Sequence, residues 1–85
     1  MWVRLHAPFG DGRTWDRINL PPSARTLELL AVLKKRCPAL EPLIQPTPEE
    51  TFHHFLLLRD DYVLGAQDQI APDDRIVVVM PLTGG

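Results

Sequence analysis

With 85 residues, 9 of them lysine or arginine and 11 aspartate or glutamate, the chain has room for one domain around one modest core. The net charge of −2, with both signs interspersed, leaves no broad basic field for a nucleic-acid backbone and no long acidic tail. A single cysteine excludes an internal disulfide, no apolar run approaches the ~20 residues of a membrane span, and no charged-then-apolar leader opens the chain; the expectation is a soluble protein of the reducing cytoplasm.

Trp2 to Ala7 alternates in the manner of a strand, with Val3 and Leu5 facing a core and Trp2, Arg4 and His6 facing away. Pro8 ends it. Gly10-Asp11-Gly12 supplies residues suited to a hairpin connection, and a second strand is expected from about Thr14 to Leu20 with Ile18 and Leu20 inward. Trp15 then falls on the outer face near Trp2, where half-covered packing is its ordinary role. Pro21-Pro22 break the strand, and Thr26 reads as the N-cap of a helix running to about Cys37. Glu28 in its first turn and Lys34-Lys35-Arg36 in its last both complement the helix dipole. Leu27, Leu30, Leu33 and Cys37 share one stripe at helical spacing, which favours a buried, inert cysteine over a reactive thiol.

Prolines at 38, 42, 46 and 48 make the stretch from Pro38 to Glu50 an irregular connection, with Leu40, Leu43 and Ile44 tucking one turn of it against the core. A third strand is expected from about His53 to Leu58, a turn at Asp60-Asp61, and a short fourth strand from Tyr62 to Leu64. Adjacent histidines at 53 and 54 invite a metal reading. Neighbours on a strand point to opposite faces, however, and no second pair completes a ligand set, so no metal site is expected.

The run Ile76-Val77-Val78-Val79-Met80 is apolar throughout and rich in β-branched residues, as in a strand buried along its length. Pro81 stops it, and Gly84-Gly85 have no side chains to pack, so residues 81–85 are expected to leave the body as a flexible tail after a domain spanning 1–80. A bare diglycine can thread a passage that any Cβ would block. Ile76, Val78 and Met80 lie on one face of that strand and Val77 and Val79 on the other. One helix can bury only one face, which leaves Val77 and Val79, beside Arg4 and His6, as an apolar stripe for a partner to cover.

At these residues the chain resembles the ubiquitin-like sulfur carrier proteins, the family of the small subunit of molybdopterin synthase and of the thiamine-pathway sulfur carrier. Pro72-Asp73-Asp74-Arg75, Ile76 to Met80, Pro81 and Leu82-Thr83-Gly84-Gly85 fill the family's closing turn, apolar strand, proline and diglycine slots; Val3-Arg4-Leu5 and Thr26-Leu27-Glu28-Leu29-Leu30 match further forward. Met80 stands where a first proline is usual, and Asp60-Asp61 where Asn-Gly is common. The resemblance implies an α+β domain of β-grasp form: one mixed sheet of four to five strands covered on one face by one main helix, its first and last strands parallel and central.

A carboxylate is a poor electrophile at neutral pH, and the chain has no phosphate-binding loop and no nucleophile and base pair with which to activate one, so activation must come from outside. The chain is not expected to be an enzyme on its own or to bind a cofactor. The resemblance implies a ubiquitin-activating-type enzyme that uses ATP and Mg²⁺ to adenylate Gly85, and a sulfur donor such as a cysteine desulfurase that leaves a thiocarboxylate there. Pro81, Leu82, Thr83 and Gly84 would thread into the active site of a second enzyme, and Arg4, His6, Val77 and Val79 would form the docking face. The tail and the chain length look most like the molybdopterin synthase small subunit, partnered by that enzyme's large subunit; thiamine synthesis and tRNA thiolation are the other carrier pathways. Two readings from other classes stand beside it: a modifier joined to protein lysines through Gly85, and a β-grasp binding module whose tail is never activated.

Overall fold

The computed structural model describes residues 1–44, 51 and 54–80. Five strands, β1 (Trp2–Leu5), β2 (Trp15–Arg17), β3 (Leu56–Arg59), β4 (Tyr62–Val63) and β5 (Arg75–Val79), form one mixed sheet in the order β2-β1-β5-β3-β4. The central pair, β1 and β5, is parallel, with Val3 opposite Ile76 and Leu5 opposite Val78; every other pairing is antiparallel. The main α-helix among the described residues, α1 (Thr26–Arg36), covers one face, followed by a 3-10 helix at Pro38–Leu43 that packs against it. This is the β-grasp arrangement of ubiquitin.

The core is where the alternation places it. Val3, Ile76, Val78 and Leu57 point from three adjacent strands toward Leu29, Leu30 and Leu33 of α1, with Ile18, Leu40, Phe55, Leu64 and Ile70 closing the sides. Cys37, at the C-terminal cap of α1, is buried as expected. Leu40 is fully buried, so the proline-rich connection does tuck a turn into the core.

Several boundaries differ from expectation for identifiable reasons. Helix α1 is capped by Arg25, not Thr26. The Thr26 hydroxyl and backbone N–H both donate to the Asp68 carbonyl, at 3.2 and 3.0 Å, so its side chain is committed to a distant loop. The Glu28 carboxylate accepts the Arg25 N–H at 2.9 Å, the reciprocal half of a capping box. The buried stripe of α1 is Thr26, Leu29, Leu30, Leu33, then Cys37, and Leu27 is 41% exposed. The helix is rolled so that 29, not 27, shares the face of 30 and 33. β1 ends at Leu5, where the Gly12 N–H turns back to the Leu5 carbonyl, and β2 is only three residues long. Gly10 makes that turn possible, because a Cβ there would stand 2.7 Å from Leu5 Cβ and its carbonyl oxygen. β3 begins at Leu56; His54 lies in the preceding turn, exposed, and His53 lies outside the described residues. Met80, expected inward, is past the end of β5 and 47% exposed.

Asp60 and Asp61 join β3 to β4 with φ of 50° and 67°, the left-handed pair a type I′ hairpin turn requires. Non-glycine residues are strained there. Replacing the pair by Asn-Gly relieves that strain, and we expect a gain of about 0.5–1 kcal/mol, read as a rise in melting temperature of roughly 4–8 °C per kcal/mol.

In the β1–β2 connection the Asp11 carboxylate accepts the backbone N–H groups of Arg13 and Thr14 and the Thr14 hydroxyl, at 2.8 to 3.0 Å. These bonds, the Arg13 amide first, favour the ionised form and hold the Asp11 pKa below its usual value. The stability this turn contributes is therefore present above the ordinary aspartate pKa and lost as pH falls through the lowered one. An NMR titration should show Asp11 titrating at lower pH than a free aspartate, and Asp11→Ala should remove that part of the acid dependence.

Candidate functional site

Side chains of alternate parity line the sheet face opposite α1. β5 contributes Val77 and Val79, both half-buried; β1 contributes Arg4, opposite Val77; and His6 follows at the end of β1, its N–H bonded to the Val78 carbonyl at 2.9 Å. All four residues assigned to a docking face from the sequence thus border one open depression of about 370 Å³. Leu58 joins them from β3, opposite Val77. Val77 and Val79 are less exposed than expected because Arg4, Leu58 and Leu56 stand against them across the sheet.

Trp15 supplies the feature that parity alone missed. It sits opposite Arg4 in the β1–β2 register, and the Arg4 guanidinium lies 4.6 Å from its ring centroid, with that of Arg75 at 5.8 Å. The indole is half-buried with both guanidinium groups near its ring, and Trp2, which the sequence placed near Trp15, borders a second, smaller hollow with Trp15 and Arg75. Across the depression, at its far rim, are the Asp60 and Asp61 carboxylates of the β3–β4 turn. The Leu56-Leu57-Leu58 run, apolar on both faces like Val77-Val78-Val79, was the available signal that the stripe continues onto β3.

Arg4 Nε and His6 Nε2 are excluded from solvent with no hydrogen-bond partner. The one ion pair among the described residues is elsewhere: Arg59 Nη1 donates to Asp74 Oδ2 at 2.9 Å and to the Gln69 carbonyl at 2.8 Å, tying β3 to the loop before β5. Among the described residues no group of three His, Cys, Asp or Glu side chains is placed to hold a metal, and no helix is long and apolar enough to cross a membrane. Pro81, Leu82, Thr83, Gly84 and Gly85 lie outside the described residues.

The fold and this face together define a ubiquitin-like β-grasp domain whose outer sheet surface is apolar at its centre and charged at its rims. The chain is similar throughout to the crystal structure of SAMP1 from Haloferax volcanii, with a TM-score of 0.77 and 23% identity over 99% of this chain and 97% of that one. The likeness is one of fold. No family model and no curated protein sequence matches the chain.

Proposed function

We propose that the protein is a carrier in the manner of the ubiquitin-like sulfur carriers: Gly85 is adenylated by a separate activating enzyme and converted to a thiocarboxylate that donates sulfur. The acceptor that best fits the tail and length is the pterin precursor of molybdopterin, and the compartment the cytoplasm. The observation that carries this reading is the placement of β5. It is the central strand, its outer residues form the floor of the depression, and it runs in the chain directly into Pro81 and the diglycine. Five residues reach at most about 18 Å, so an enzyme seated on that face would need its adenylating centre within that distance of Met80. The chain needs no catalytic group of its own, because ATP and Mg²⁺ act on the partner.

Intact mass spectrometry of the protein isolated from its own cells tests the reading. A fraction whose mass corresponds to exchange of one carboxylate oxygen for sulfur at Gly85 is expected; carboxylate alone under every growth condition, or isopeptide-linked Gly85 on lysines with no thiocarboxylate, overturns it. Docking is tested separately by Val79→Asp. The side chain lies on the outer face beside Leu56, so we expect a stability loss of about 1–2 kcal/mol with the fold retained. ATP–pyrophosphate exchange by the activating enzyme should fall far more steeply, since an uncompensated charge would enter the interface. A folded Val79→Asp protein with wild-type exchange would remove the face from the mechanism.

A further inference from the structure

The depression is polarised as well as apolar. Arg4 and His6 are two residues apart on the same face, about 7 Å along the strand, and both carry a nitrogen that is shut off from water and without a partner. Buried polar nitrogens are normally satisfied, so two unpartnered ones make this end of the depression electrostatically uncompensated. The Trp15 ring lies close to the Arg4 guanidinium, and because Arg4 Nε is shut off, a planar acceptor from outside would meet the terminal Nη groups. Arg75 adds a second cation near the same ring, and neither arginine has a carboxylate within ion-pair distance among the described residues. Asp60 and Asp61 hold the opposite rim, which opposes binding of a polyanion across the whole depression.

We propose that the outer face takes a protein segment in which an acidic side chain stands next to an aliphatic one, the carboxylate meeting Arg4 and the aliphatic group resting on Val77 and Val79. A basic residue of the same partner would lie toward Asp60 and Asp61, so the charge pattern sets the direction in which the partner docks. This rests on the reading that an activating enzyme docks on this face, and names the chemistry of its contact.

The test is ATP–pyrophosphate exchange by the activating enzyme from the same cells, with the full chain varied in concentration. Arg4→Glu should raise KM by at least about tenfold, and Arg4→Lys, which keeps the charge and loses the fork, by about threefold. Lys35→Glu, the same charge change on α1, should leave KM unaltered. Should Arg4→Glu fail to fold, Arg4→Lys decides, together with the expected weakening of the wild-type KM as salt is raised. Exchange with wild-type chain and a KM for folded Arg4→Glu, or failing that Arg4→Lys, equal to wild type overturns the inference and leaves the carrier reading standing. Dimerisation of the free chain through this face, abolished by Arg4→Glu, also overturns it by making a second copy the occupant. No exchange with wild-type chain overturns the carrier reading and this inference with it.

Discussion

We expect Gly84→Val to abolish the proposed activation of Gly85 and to leave the melting temperature unchanged. A passage fitted to bare backbone would exclude the branched side chain, and deletion of Gly85 would remove the carboxylate proposed to react while shortening the reach by about 3.5 Å. The buried core among the described residues runs from Met1 to Val78, and both changes lie beyond it in the chain. The measurement is thiocarboxylate formation or ATP–pyrophosphate exchange with the activating enzyme, alongside thermal unfolding of each variant. Loss of activity of at least about a hundredfold, or roughly 3 kcal/mol in the barrier, with stability held within a few tenths of a kcal/mol, is the expected pair of results. Full activity in both variants would sink the carrier mechanism. Lost activity accompanied by a large fall in melting temperature would mean that the diglycine belongs to the packed structure.

The parts of this fold that were legible in the sequence are those where one local rule acts without competition. β5 needed only the apolar, β-branched run Ile76 to Val79, and the α1–sheet core followed from Val3, Ile18, Leu30 and Leu33 at their respective periods. What was misread was decided by contacts distant in the chain. Thr26 is a good cap by residue type, yet its hydroxyl is committed to the Asp68 carbonyl 42 residues away, and Arg25 holds the N-cap position without a side-chain cap hydrogen bond. Leu27 and Leu29 are both leucine, and only the roll of α1 against the sheet determines which one is buried. Arg4, His6, Val77 and Val79 share one sheet face because parity on two paired strands suffices to place them there. Trp15 needed the β1–β2 register, which places it against Arg4, and no single-strand pattern carries a register.

Phe55→Ala should cost the domain most of its stability. The ring is fully buried just before β3, in edge-to-face contact with Phe9 at a centroid separation of 6.1 Å and an interplanar angle of 69°. It therefore joins the β1–β2 connection to the entry of β3, two segments far apart in the chain. Truncation of a buried phenylalanine to alanine costs about 3–5 kcal/mol, and loss of the aromatic pair is part of that figure. A domain of this size holds only about 5–15 kcal/mol in total, and small ones lie at the low end. At roughly 4–8 °C per kcal/mol, the melting temperature should fall by at least about 12 °C. Phe55→Leu keeps most of the volume and should lose much less. Because Leu56 and Leu58 enter the sheet directly after Phe55 and pair with Val79 and Val77, the alanine variant should also loosen the floor of the outer depression. Docking should therefore weaken in step with the unfolded fraction, in contrast to the diglycine variants, where activity falls and stability does not. Denaturant unfolding of the three proteins, with exchange activity measured at a temperature where each is still folded, separates the two causes. A loss below about 1 kcal/mol for Phe55→Ala would show that the site collapses onto the gap and that the Phe9–Phe55 contact is not what holds these segments together.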